Sequence, residues 1–211
     1  MLNIAVLVSG GGTNLQALID AQERGELCGG RISLVVSGSR KAFALERAKK
    51  AGIPSVVLAR RDYAAQEDYD GALLGELEKS GIGLVVLAGF MTIVSPNVIA
   101  HYRNRIVNVH PSLIPSFCGE GYYGLRVHEA ALKKGVRVTG ATVHFVDEVC
   151  DGGPIILQKA VEVEPEDTPE SLQKRVMEQA EWKLLPRAVA LFCAGRLKVE
   201  DGTVKIREVQ S

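Results

Sequence analysis

Short apolar runs alternate with helix-like stretches over the first half of the chain. The runs, at 3–8, 32–36, 55–58, 83–89 and 106–110, are rich in β-branched residues and are bounded by turn residues. Such runs predict buried strands. Between them, helical spacing of apolar residues predicts helices at 15–19, 42–51 and 62–80, and Ser95-Pro96 begins another. Strands separated by helices predict a parallel sheet with right-handed crossovers.

The pattern changes after residue 110. A long glycine- and aromatic-rich loop precedes a helix at 126–134, and strands at 136–146 and 155–163 follow too closely for a crossover helix. These two strands should therefore pair antiparallel. The remaining elements are a helix from about 167 to 185, a kink or restart at Pro186 with Gly195 as the stop, and a hairpin over 197–206.

These elements predict an α/β fold of the Rossmann-like kind. We expect a mixed, mostly parallel sheet with antiparallel strands at its C-terminal side and helices on both faces. No linker, repeat or low-complexity segment interrupts the pattern. The simplest account is one domain over residues 1–211.

The composition narrows the function classes. The 211 residues carry 25 basic and 25 acidic side chains, and this zero net charge argues against nucleic acid as the main partner. No apolar run is long enough to cross a membrane, and the N-terminus reads as a first strand, not as a signal peptide. The four cysteines are scattered without a C-x-x-C pair, so we expect free thiols and a cytoplasmic protein.

A glycine-rich loop at 9–14 lies between the first strand and the first helix. Free backbone N–H groups at such a helix start bind phosphate, with Thr13 or Asn14 as the N-cap or as a direct ligand. The loop is not a Walker A motif, and Leu15 takes the third glycine position of the dinucleotide fingerprint. Arg40, after the second strand, can favour the 2′-phosphate of NADP, so an NADP enzyme stays an alternative. A tight turn without a ligand is the structural alternative.

The stretch 106–112 contains candidate catalytic side chains. Asn108 and His110 lie two residues apart in a strand and therefore on one face, and Pro111 ends that strand. An amide can donate to a developing oxyanion, an imidazole can transfer protons near neutral pH, and Asp151, in a loop with Gly152 and Gly153, can orient the ring. The alternative is a polar strand end that caps a turn. His144 fits either a core or a site position.

Other candidate sites are weaker. The apolar residues 90–94 leave a strand end and could line a pocket for a flat ring, although such runs are more often core. No His/Cys cluster has the spacing of metal ligands, and no G-x-S-x-G elbow occurs.

Two segments identify a family resemblance. They are NVHPSLIP at 108–115 and DGGPII at 151–156, and together they resemble the folate-dependent formyltransferase signature. SGGGTNLQ at 9–16 and LAGFM at 87–91 resemble, within that family, the members that act on glycinamide ribonucleotide. The resemblance covers essentially the whole chain. Length supports it, because relatives that act on methionyl-tRNA or that hydrolyse formyltetrahydrofolate carry a further domain.

The resemblance implies a reaction. The amine of glycinamide ribonucleotide would attack the formyl carbon of 10-formyltetrahydrofolate, the co-substrate, through a tetrahedral intermediate, in purine biosynthesis. It implies no metal, no nucleic acid or membrane partner, and a monomer or homodimer. A non-catalytic nucleotide-binding module and a formyl-folate hydrolase are the alternatives.

The resemblance also implies roles for individual residues. Residues 1–100 would form a phosphate-binding half and residues 101–211 a folate-binding and catalytic half. Glu181 would bind the ribose hydroxyls, although its sequence context alone favours an exposed helix carboxylate. Gln66 stands where the family often has a basic residue that meets the folate. The remaining roles are the 5′-phosphate for Gly12, Thr13 and Asn14; catalysis for Asn108, His110 and Asp151; and folate binding for Met91, Thr92, Ile93, Val94, Asn108, Asp147 and Asp151.

Overall fold

A computed structural model describes residues 1–208 of the chain. The strands are β1 (Leu2–Val8), β2 (Gly30–Ser37), β3 (Ser55–Val57), β4 (Ile82–Leu87), β5 (Ile106–His110), β6 (Val138–Phe145), β7 (Ile155–Glu162), β8 (Leu197–Glu200) and β9 (Thr203–Ile206). The α-helices are α1 (Thr13–Glu23), α2 (Ala44–Lys50), α3 (Gln66–Lys79), α4 (Pro96–His101), α5 (Leu125–Lys134), α6 (Pro169–Val176) and α7 (Trp182–Cys193). A 3₁₀ turn covers Arg60–Asp62, and a π-helical turn covers Met177–Glu181.

The main sheet has seven strands in the order β3-β2-β1-β4-β5-β6-β7. Strands β1 to β5 pair parallel, whereas β6 pairs antiparallel with β5, and β7 pairs antiparallel with β6. The mixed sheet and its antiparallel side are therefore confirmed. The chain builds outward from β1 in one direction and resumes at β4 in the other, which opens a crevice at the carboxyl ends of β1 and β4.

Helices cover both faces of this sheet, because alternate residues of the buried strands point to opposite sides. Ile4, Val6 and Val8 of β1 pack in one apolar cluster with residues of α1, α2, α6 and α7. Ala5 and Leu7 pack in a second cluster with residues of α3 and α4. Across residues 1–208, no helix combines the length and apolar character needed to span a membrane.

Two predicted helix features differ from the structure. The helix predicted from residue 62 begins at Gln66, since Arg60–Asp62 forms a separate 3₁₀ turn whose Arg60 Nη1 donates to the Tyr63 carbonyl at 2.8 Å. The kink or restart predicted at Pro186 is wrong, because Pro186 sits inside α7 and the change in helix geometry is the π-helical turn Met177–Glu181 upstream. Pro186 has no N–H for the carbonyl of Trp182 and crowds it, so the wider turn just before Trp182 accommodates the ring.

The predicted division into two halves at residue 100 stays a prediction. Residues 209–211, at the end of the predicted domain, lie outside the described part. One sheet runs through both halves, with β1 to β4 from the first and β5 to β7 from the second. A site at the carboxyl ends of β1, β4 and β5 therefore draws on both.

Candidate active site

The glycine loop is shaped by one left-handed residue. Gly12 has φ +71° and is the N-cap of α1. A Cβ at Gly12 would lie 2.6 Å from the Cβ of Ala44 on α2, so only glycine fits between the two helices. Arg47 Nε, also on α2, donates to the Gly11 carbonyl at 2.9 Å. The backbone at the start of α1 is thereby fixed with its first N–H groups free of helical partners, as an anion site requires.

Asn14 and Glu181 meet at the start of α1, although 167 residues separate them in sequence. Asn14 Nδ2 donates to Glu181 Oε2 at 2.6 Å, and the two residues are only 8% and 5% exposed. The π-helical turn carries Glu181 inward, so the exposed position that its sequence context favours is wrong. Burial raises the pKa of Glu181 to about 6, against the opposing effect of the Asn14 hydrogen bond.

A second cluster lies at the end of β5. Asn108 and His110 share one face, and Asp151 reaches both from the loop between β6 and β7. Asp151 Oδ2 lies 3.4 Å from His110 Nδ1 and accepts from the Gly119 N–H at 2.9 Å. Asn108 Nδ2 donates to Asp151 Oδ1 at 3.4 Å. The structure thus brings the three predicted catalytic residues together.

The His110 ring is oriented by a backbone carbonyl. Nε2 lies 2.9 Å from the carbonyl oxygen of Phe117, which can only accept, so Nε2 carries the proton. Nδ1 then faces Asp151 with its lone pair when the ring is neutral. A proton taken up at Nδ1 gives both ring N–H groups an acceptor.

His144 is a member of this cluster that the sequence left open between core and site. The residue is 1% exposed, and its Nδ1 donates to the Phe145 carbonyl at 2.7 Å. Its Nε2 is therefore free to accept from Asn108 Nδ2 at 3.2 Å, and it lies 3.6 Å from Asp151 Oδ1. The antiparallel pairing of β5 with β6 sets Asn108 opposite His144 and so brings this ring into the cluster.

The surroundings of His110 and Asp151 lower the pKa of both groups. Burial lowers the pKa of His110, and the opposing effects of Asp151 and of the Phe117 carbonyl do not fully offset it. Burial alone would raise the pKa of Asp151, but the neighbouring His144 and His110 rings and the Gly119 N–H outweigh it and hold that pKa below its usual range. At neutral pH the site therefore holds an ionised carboxylate beside a neutral ring that is ready to accept a proton.

The apolar segment 90–94 lies between β4 and α4 and is largely on the surface. Met91 is 54% exposed and Ile93 is 76% exposed, so the core position that the pattern favours is wrong for these two side chains. The Met91 N–H donates to Ser9 Oγ at 3.0 Å, which ties the segment to the glycine loop. Exposed apolar side chains at a sheet crevice are typical of a binding surface.

Gln66 and Asp147, two predicted folate contacts, are both engaged within the protein. The Gln66 amide accepts from Arg60 Nε at 2.8 Å and donates to Asp70 Oδ1 at 2.7 Å. Asp147 Oδ1 accepts from the Val149 N–H at 2.9 Å and closes a turn. Their contacts with folate stay predictions. Within residues 1–208, no group of three or more His, Cys, Asp or Glu side chains is arranged to hold a metal ion.

Known sequences resemble this chain over most of its length. The family model described as formyl transferase matches residues 2–189. Phosphoribosylglycinamide formyltransferase of Escherichia coli is 42% identical over 200 residues, which are 95% of this chain and 91% of that protein. Trifunctional purine biosynthetic protein adenosine-3 of Drosophila melanogaster is 42% identical over 193 residues, and the chain spans only 14% of that longer protein.

Comparison with solved structures agrees. Glycinamide ribonucleotide transformylase 1 of Symbiobacterium toebii superposes with a TM-score of 0.92 at 42% identity, over 99% of this chain and 95% of that one. A formyltetrahydrofolate deformylase of Pseudomonas syringae gives a TM-score of 0.87 at 24% identity, over 98% of this chain and 66% of that one. At that identity the second likeness shows a shared fold alone.

Proposed function

The chain belongs to the formyl transferase family, and we propose that it transfers the formyl group of 10-formyltetrahydrofolate to the amine of N1-(5-phosphoribosyl)glycinamide. The observation that carries the proposal is the cluster of Asn108, His110 and Asp151 at the end of β5, joined by contacts of 3.4 Å. The name and 42% identity of the Escherichia coli relative support this acceptor. We place the reaction in cytoplasmic purine biosynthesis, in keeping with four unpaired thiols.

The glycine loop and Glu181 supply the ribonucleotide site in this proposal. The N–H groups at the start of α1 bind the 5′-phosphate, and Gly12 lets the chain turn close to it. Ionised Glu181 accepts hydrogen bonds from the ribose hydroxyls while Asn14 holds its other oxygen. The exposed apolar residues Met91 and Ile93 line the pterin side of the same crevice.

His110 and Asp151 then move the proton that the reaction must transfer. The amine attacks the formyl carbon and loses a proton, which neutral His110 accepts at Nδ1 beside Asp151. The ionised carboxylate stabilises the imidazolium that results. His110 later returns the proton to N10 of the departing folate, so the cluster ends the reaction as it began.

Asn108 stabilises the oxyanion of the tetrahedral intermediate. Its two N–H groups point to His144 Nε2 at 3.2 Å and to Asp151 Oδ1 at 3.4 Å. The longer bond is the weaker one, and the oxyanion replaces it as acceptor. Holding both substrates in one crevice supplies a further large part of the rate by proximity.

One assay tests the proposed function. The protein is mixed with 10-formyltetrahydrofolate, with and without glycinamide ribonucleotide, and folate absorbance is followed. We expect turnover only when both substrates are present, and loss of that turnover in His110→Ala. Folate turnover without the ribonucleotide would make the protein a hydrolase, and ribonucleotide binding without any turnover would make it a binding module.

A further inference from the structure

The loop that follows β5 is held against the sheet by hydrogen bonds to side chains of two neighbouring strands. Thr142 of β6 lies opposite His110, and Gln158 of β7 lies opposite Thr142. Residues paired directly across a sheet point to the same face. His110, Thr142 and Gln158 therefore form one polar row over three strands, which begins in the catalytic cluster and ends at the edge strand.

Three hydrogen bonds join this row to the loop, and a fourth links Gln158 to Thr142 within the row. Thr142 Oγ1 donates to the Ser112 carbonyl at 2.7 Å and accepts from the Ile114 N–H at 3.1 Å. Gln158 Nε2 donates to the Ile114 carbonyl at 3.0 Å and to Thr142 Oγ1 at 2.9 Å. The hydroxyl of Thr142 is thus fully used as donor and acceptor, and the amide of Gln158 fixes its direction.

The segment 112–114, which these bonds hold, leads directly to the carbonyl that orients His110. Ser112 Oγ donates to the Ser116 carbonyl at 2.5 Å, which closes the loop one residue before Phe117. Phe117 has φ +49°, a left-handed conformation that an aromatic residue keeps only where its surroundings impose it. Its carbonyl then meets His110 Nε2 at 2.9 Å.

We propose that Gln158, on the edge strand outside the catalytic cluster, is a positioning residue for formyl transfer. It acts through Thr142 and the loop to hold the Phe117 carbonyl, which keeps the proton of His110 on Nε2 and leaves Nδ1 to accept the proton of the substrate amine. This inference rests on the proposed function. It deepens that function by extending the catalytic apparatus two strands across the sheet.

The kinetic test uses Gln158→Met, which keeps the side-chain length and removes both donors. We expect kcat to fall by roughly ten-fold or more, because a misplaced catalytic group loses rate steeply, with the KM of each substrate within about two-fold of wild type. Thr142→Val, which removes the hydroxyl at nearly constant volume, should lower kcat as well. The double variant should be no slower than the slower single variant, since both residues act through the same hydrogen bonds to the loop.

Controls separate positioning from general damage. Thr142→Ser keeps the hydroxyl and should restore most of the activity lost in Thr142→Val. Lys159→Met changes the adjacent residue of β7, whose side chain points to the opposite face, and should match wild type. Wild-type kcat in Gln158→Met would overturn the inference, as would a loss of equal size in Lys159→Met.

A second measurement does not depend on activity. Nitrogen-15 NMR of the imidazole rings, with His110 assigned by its loss in His110→Ala, reports which ring nitrogen carries the proton. We expect the Nε2–H form alone in the wild type and a mixture of both tautomers in Gln158→Met. An unchanged ring in that variant would overturn the inference even if kcat falls. Absence of turnover in the wild type would instead overturn the proposed function.

Discussion

Asp151 owes its ionised state to its polar neighbours. The Gly119 N–H, the Asn108 amide and the rings of His110 and His144 surround a carboxylate that is mostly withdrawn from water. Without them, burial would favour the neutral acid, which cannot stabilise an imidazolium. The proton-accepting strength of His110 is therefore set in part by the groups that keep Asp151 charged.

Replacing Asp151 by Asn tests this coupling. Asp151→Asn keeps the shape but removes the charge beside Nδ1, so the pKa of His110 should fall further below its usual range. We expect kcat to drop roughly 10²-fold or more, and the acid limb of the kcat/KM profile to move to lower pH. Glu148→Gln, in the same loop, removes an exposed carboxylate and should leave both unchanged. A shift of the acid limb to higher pH would contradict the coupling.

The buried carboxylate of Glu181 lowers the stability of the fold, although the proposed function uses its charge to bind the ribonucleotide. Its pKa rises to about 6 in the folded protein, so the ionised form costs stability above that pH, and the cost disappears below the ordinary value of 4.5. Glu181→Gln should therefore raise the free energy of unfolding at pH 7.5 by about 2 kcal/mol. Urea titrations at pH 7.5 and pH 4.5 check this, because most of the gain should be lost at the lower pH.

The same substitution should weaken ribonucleotide binding. The glutamine side chain offers one neutral acceptor where the carboxylate of Glu181 offers a charged one, so we expect the KM for glycinamide ribonucleotide to rise roughly ten-fold. The KM for the folate should not change. Glu178→Gln, an exposed carboxylate of the same turn, is the matched control. An unchanged ribonucleotide KM in Glu181→Gln would remove Glu181 from the proposed site.

Among the elements, the glycine loop depends most on one residue. Gly12→Ala places a Cβ 2.6 Å from the Cβ of Ala44 and forces alanine to a φ of +71°. The left-handed conformation alone costs roughly 1–2 kcal/mol. We expect a lower melting temperature and a ribonucleotide KM raised at least ten-fold. Gly11→Ala, where an added Cβ meets nothing within 4 Å, should show neither effect, and equal effects in both variants would contradict this account.

Local periodicity predicted most elements because it reports burial directly. The period-2 spacing of Asn108 and His110 placed them on one face of β5, and the structure agrees. Periodicity did not predict that His144 joins them, since strand register depends on contacts between distant segments. It also missed the burial of Glu181, because a wider helical turn rotates the side chain away from the position that a regular helix gives it.

Across the whole molecule, β5, which carries Asn108 and His110, lies between the parallel and antiparallel parts of the sheet. β5 pairs parallel with β4 on one side and antiparallel with β6 on the other. The parallel side aligns its end with the glycine loop, and the antiparallel side supplies His144 and the row of Thr142 and Gln158. In the antiparallel register of β5 and β6, Asn108 lies opposite His144 and His110 lies opposite Thr142.

The buried ring of His128 on α5 should make the whole fold less stable in acid. It is fully buried, and neither ring nitrogen has a hydrogen-bond partner within residues 1–208. Burial, with a smaller contribution from His110, lowers its pKa to about 4. The unfolded chain therefore binds a proton more readily than the folded one between about pH 6.5 and pH 4, and stability falls as the pH falls through that range.

His128→Leu should remove this loss. Between pH 8 and pH 5 the wild type should lose about 2 kcal/mol of unfolding free energy from this residue, and the variant should keep it. Urea titrations at both pH values measure the difference, with His101→Gln, at an exposed position, as the control. If His128→Leu loses as much stability on acidification as the wild type does, another group dominates. The neutral ring of His128 would then be ruled out as the acid-sensitive element of the fold.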